Sequence, residues 1–73
     1  MQKWEYLFVS CEFEKEQWRP KYVNGQELKN WHDINLYDYS NKLGDEGWEM
    51  VNTTSHGAGN FTYIFRVVFK KPR

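Results

Sequence analysis

The chain has 73 residues, with ten Lys and Arg set against ten Asp and Glu. That length makes one domain, residues 1–73, near the lower limit of what a single core stabilises unaided, and the balanced charge lacks the basic excess that marks non-specific binding to nucleic acid or anionic membrane. One cysteine, Cys11, excludes an internal disulfide framework, and no apolar run approaches the ~20 residues of a membrane span.

Residues 1–4 offer no basic region leading into an apolar run, so no signal peptide is expected and the expectation is a soluble, cytoplasmic protein. Four Trp, five Tyr and five Phe, burying roughly 150–250 Å2 each, can build a small core without disulfides. They are also more aromatic surface than one helix can cover.

Residues 3–13, KWEYLFVSCEF, read as the first strand. The period of two puts Trp4, Tyr6 and Phe8 on one face and Leu7, Val9, Cys11 and Phe13 on the other. Glu12, Glu14 and Glu16 follow at alternate positions; strand spacing sets neighbours nearly 7 Å apart, too far to converge on one cation without a bend. A solvated strand end that discourages edge pairing is the reading adopted, with no metal site.

QWRPKYV, then Asn24-Gly25, then QELKNW reads as a β-hairpin, because Asn-Gly supplies the two positive φ angles of a type I′ turn. Closure pairs Val23 with Gln26 and Tyr22 with Glu27, and counting outward sets Lys21 against Leu28 and Trp18 against Trp31. Pro20 cannot donate to a ladder, which puts it on an edge or at a bulge and makes the hairpin peripheral. His32 and Asp33 read as a polar connection into a helix over about 34–36 to 46, capped by Asn35 with Asp38 or by Asp33. The other histidine, His56, lies in an expected loop, and the two histidines match no zinc spacing.

Leu36, Tyr39 and Leu43 form the apolar stripe of that helix. Gly44 is read onto the same stripe, where it would let the helix approach a sheet. Gly47 sits where a helix ends in the left-handed conformation, and Trp48 and Met50 begin a strand that packs back under Leu43. Residues 48–54 form this strand, SHGAGN a turn, and residues 61–70 the final strand. The final strand has Phe61, Tyr63, Phe65, Val67 and Phe69 on one face and Thr62, Ile64, Arg66, Val68 and Lys70 on the other.

The KWEY start (Lys3, Trp4, Glu5, Tyr6), together with Leu43, Gly44, Glu46, Gly47, Trp48 and Glu49, resembles a family of small bacterial and phage proteins defined as a domain of unknown function, in which an LGxEGWEL helix end leads into a strand. The resemblance spans nearly the whole chain; Met50 departs from it where Leu is commoner. It implies a compact α+β domain and supplies no catalytic residue.

The order β-β-β-α-β-β implies an α+β fold, an antiparallel sheet of about five strands with one helix packed on one face. The expected core is Trp4, Tyr6, Phe8, Leu36, Tyr39, Leu43, Trp48, Met50 and Phe65. The other sheet face, with Leu7, Val9, Cys11 and parts of Val51, Ile64 and Val68, then lacks a cover, which points to a homodimer or higher homo-oligomer. The chain reads as a non-catalytic, self-associating binding or interaction module needing no cofactor, with Trp18, Arg19, Trp31, Leu7, Val9 and Arg66 as interface or ligand contacts. Two alternatives stand beside it. One is a small-ligand site, such as a nucleotide site, at the oligomer interface, where Trp and Tyr would stack near Arg19, Lys21 and Arg66. The other, weaker, is single-strand nucleic-acid binding by Phe61, Tyr63 and Phe65.

Overall fold

The computed structural model describes the backbone of residues 1–58 and 61–73 and the side chains of residues 1–54 and 65–73. Five strands, β1 (Trp4–Glu14), β2 (Gln17–Val23), β3 (Gln26–Glu27), β4 (Glu49–Ala58) and β5 (Phe61–Pro72), form one antiparallel sheet in the order β3-β2-β1-β5-β4. A 3-10 turn (Trp31–Asp33) and one helix, α1 (Leu36–Asp45), connect β3 to β4. The fold is the expected α+β arrangement of a five-stranded sheet with a single helix on it.

Both ends of α1 follow from its sequence. Asn35 is the N-cap, its side-chain oxygen accepting from the Asp38 N–H at 2.8 Å while its amide donates to the Asp38 carboxylate. Of the two candidate caps, this is Asn35 and not Asp33. At the other end Trp48 N–H donates to Leu43 C=O at 2.9 Å and Gly47 N–H to Gly44 C=O at 3.1 Å, with Gly47 at φ +95°. This is a Schellman motif, and its apolar partners Leu43 and Trp48 both join the core.

The core lies on the face opposite to the one expected for β1. β1 and β5 pair Leu7 with Phe69, Val9 with Val67 and Cys11 with Phe65, so odd-numbered residues of the two strands share a face. Val9, Cys11, Val67, Phe69 and Leu43 are its buried centre, and Leu7, Leu36, Tyr39, Trp48 and Phe65 pack around it. Trp4, Tyr6 and Phe8, expected inside, are 36%, 50% and 58% exposed. The cause lies in β5, whose even positions carry Arg66 and Lys70. Their charges need water, so the helix must cover the odd face. Met50, expected in the core, is also exposed, and Val51 is the extra residue of a bulge in β4.

Three other expectations are corrected. Gly44 touches nothing: a Cβ built there meets no atom within 4 Å. At about 100° per residue, it points well away from the Leu36, Tyr39 and Leu43 stripe. Trp18 and Trp31 do not pair, because β3 ends at Glu27 and Asn30, at φ +61°, turns the chain into the 3-10 helix. β4 runs to Ala58 and places His56 in the ladder opposite Ile64, so residues 55–58 are strand and not turn; the rest of the expected turn, residues 59–60, lies outside the described residues.

The hairpin turn itself is as read. Asn24 (φ +50°) and Gly25 (φ +84°) close β2 on β3, pairing Val23 with Gln26 and Tyr22 with Glu27, and Leu28 N–H donates to Lys21 C=O. Asn24 also stitches the turn to β1, its side chain accepting from the Phe8 N–H and its own N–H donating to Phe8 C=O. Pro20 sits at a register shift, where Ser10 faces Tyr22 but Cys11 faces Pro20. β3 pairs only with Tyr22 and Val23, so Pro20 also lies on the unpaired side of β2. A second two-residue turn, Lys15-Glu16, joins β1 to β2 with both residues at positive φ.

Candidate functional site

The residues that invite a catalytic reading are otherwise engaged. Cys11 is buried on β1, and burial pushes its thiol up to about 12, which keeps it protonated and unreactive at neutral pH. Glu12 accepts from Lys21 Nζ at 2.9 Å, a hydrogen bond that raises the lysine's pKa. His32 Nδ1–H donates to the Glu14 carboxylate at 2.7 Å, which holds that carboxyl below its ordinary range. Among the described residues no three His, Cys, Asp or Glu side chains converge on a point where a metal could sit.

These pairs build a clamp that the spacing of charges did not disclose. Arg19 is buried, donating from Nε to Glu14 C=O and from Nη1 to Ile34 C=O, both at 3.1 Å. Trp31 is buried beside it, stacked on His32 at 3.8 Å and capped by Lys21 Nζ at 4.9 Å. Arg19, Glu14 and His32 thus tie the β1–β2 hairpin to the segment that leads into α1. Two of the expected contact residues, Arg19 and Trp31, work inside this clamp. Leu7 and Val9 lie on the helix-covered face, Val9 in the core and Leu7 against it. Trp18 packs between Phe13 and Phe65, with ring centroids at 5.4 and 5.3 Å. Of the six, only Arg66 is exposed on the helix-free face.

A cleft of about 320 Å3 opens between α1 and the sheet, floored by Trp18, Phe65, Val67 and Thr53 and walled by Leu36, Tyr37 and Ser40. Its volume falls at the lower end of small-molecule sites. Phe61 and Tyr63, named with Phe65 for stacking on bases, have side chains outside the described residues.

The larger feature is the sheet face that no helix covers. Trp4, Tyr6 and Phe8 form a ridge along β1, and Lys70 Nζ lies 4.2 Å from the centre of the Trp4 ring. Opposite Phe8 stands Val68. Below this ridge one row crosses the whole sheet: Thr54 on β4, Arg66 on β5, Ser10 on β1, Tyr22 on β2 and Glu27 on β3, each opposite the next. Arg66 and Glu27 are exposed, and neither makes an ion pair among the described residues. Sequence reasoning found that one face must lie open and took the wrong one. The signal that identifies it is the register that puts the β1 aromatics on the same face as Arg66 and Lys70, the charged even positions of β5.

Compared with family models, with curated proteins and with solved structures, the chain matches none of them. Among the described residues no helix is long and apolar enough to cross a membrane.

Proposed function

We propose that this chain is a self-associating interaction module whose contact surface is the helix-free face of the sheet. One observation carries the reading: Trp4, Tyr6 and Phe8 stand in line on that face, between about one third and three fifths exposed. Fully covering a ring of this kind removes roughly 150–250 Å2 from water, so the exposed part of the ridge is on the order of 200–350 Å2 per copy. Two copies that cover each other's ridge gain on the order of 10–18 kcal/mol at ~25 cal/mol per Å2. Association costs about 4–15 kcal/mol in lost freedom. The two ranges overlap, and the ridge alone buries less than the roughly 1,200 Å2 of a stable interface, so the flanks of the ridge must supply further contact area. Zero net charge removes the repulsion that keeps many small domains apart.

Phe8→Glu tests the reading, because Phe8 is the most exposed of the three rings and its loss leaves the core intact. Sedimentation velocity is expected to show a dimer or larger species for the wild type and a monomer for the variant, both with the same far-UV circular dichroism. A wild-type monomer at high micromolar concentration overturns the proposal.

A further inference from the structure

We infer that the two copies are related by a twofold axis running along β1, so that Arg66 of each copy meets Glu27 and Tyr22 of the other; the inference rests on the self-association reading above. Face-to-face sheets that pack in the aligned manner keep their strands within about 30° of one another. A twofold axis lying between such sheets then runs either along the strands or across them. The charges on this face separate the two cases.

Arg66 and Lys70 are the cations of β5 on this face, two residues to either side of Val68, and Glu27 is the acid of β3. Within one chain Arg66 and Glu27 stand three strand spacings apart, about 14 Å, too far to pair. An axis along β1 reverses the strand order in the partner, so β5 of one copy lies over β2 of the other. Arg66 then falls over the partner copy of Tyr22, one strand from Glu27, and within reach of both the ring and the carboxylate. Lys70 falls beyond the Asn24-Gly25 turn that ends β2, clear of the partner's Arg66. The ridge of Trp4, Tyr6 and Phe8 lies over its own copy. An axis across the strands lays β5 over β5 instead, and with the axis at Val68 it stacks Arg66 on Lys70 twice. Like charges brought together under a closing apolar interface are strongly unfavourable.

The test is charge reversal, singly and in mixture. Glu27→Arg alone puts two cations together at each contact, and Arg66→Glu alone puts two acids together; each is expected to weaken the dimer at least about tenfold by sedimentation equilibrium. An equimolar mixture of the two variants restores an Arg-Glu pair at both contacts, so a heterodimer of near wild-type affinity is expected, together with recovery in the doubly reversed chain. Both positions are exposed, and unchanged circular dichroism verifies the fold. A tighter dimer for Arg66→Glu overturns the inference, because in the crosswise arrangement that change relieves the clash with Lys70. So does a mixture no tighter than its components. Failure of the wild type to associate removes the underlying reading instead, which keeps the two failures apart.

Discussion

Gly44 is a helical residue whose side-chain position opens on water, with nothing within 4 Å of a Cβ built there. Glycine inside a helix is about 0.8–1.0 kcal/mol less favourable than alanine, so Gly44→Ala is expected to raise stability by about 1 kcal/mol in urea denaturation, with unchanged slope. A loss of stability would mean that the helix packs more closely there than the structure shows. Gly47, three residues on, is at φ +95° and has no such freedom. The two glycines look alike in the sequence. Only Gly47 was legible, because a glycine after the last apolar residue of a helix has a specific structural use, whereas Gly44 had to be placed by an angle that three stripe residues constrain loosely. Glu14 and His32 carry a second residue-scale prediction. The His32 hydrogen bond holds the Glu14 carboxyl below its unfolded value of 4.5. The sign follows from a depressed acid: the stabilisation is present above that value and is lost as the pH falls through the folded pKa. The stability difference between wild type and His32→Gln, measured from mildly acid pH downward, is therefore expected to shrink below the usual carboxylate range, leaving only the part due to the lost stacking on Trp31. A difference that stays constant down to pH 2 would show that the pair is not what separates the two proteins.

At the scale of elements, the two hairpins of the first half show where local sequence speaks and where it is silent. Asn24-Gly25 and Lys15-Glu16 are both two-residue turns with positive φ at both positions. Asn and Gly reach that conformation readily, so the second hairpin could be read with its register. Lys and Glu do not, at a cost of roughly 1–2 kcal/mol per residue. The first turn was therefore invisible in the sequence, although the acids and bases around it are what the Arg19 clamp is made of. Replacing Lys15-Glu16 by Asn-Gly is expected to raise stability by about 1–2 kcal/mol in thermal melts. An unchanged or lower melting temperature would mean that Lys15 and Glu16 supply compensating contacts. The helix was legible at both ends, since Asn35 and Gly47 cap it through chemistry written in their side chains. The two faces of β1 were legible as faces but not as inside and outside. That assignment depends on the register with β5, and a one-residue shift exchanges the faces.

For the molecule as a whole, that register is set by contacts between residues 4–11 and 65–72, at opposite ends of the chain. No local rule reaches that far. What the composition did convey was the surplus: too many rings for one helix to cover, hence an open face, whichever it proved to be. The open face also links association to stability. A 73-residue domain of ordinary stability has about 4–11 kcal/mol to spare, drawn here from a core centred on Val9, Cys11, Leu43, Val67 and Phe69. A partner that binds only the folded chain adds to this by mass action, so melting depends on concentration. If the sheet faces pair, the melting temperature of the wild type is expected to rise steadily over a hundredfold increase in protein concentration. The Phe8→Glu variant, lacking the most exposed ring of the ridge, is expected to melt at one temperature throughout, close to that of the most dilute wild type. Because Phe8 is more than half exposed, a core defect would lower the variant's melting temperature at every dilution, whereas loss of a partner separates the two curves only as concentration rises. A wild-type melting temperature that does not move with concentration would mean that the aromatic ridge remains in water and that the domain's stability is wholly its own.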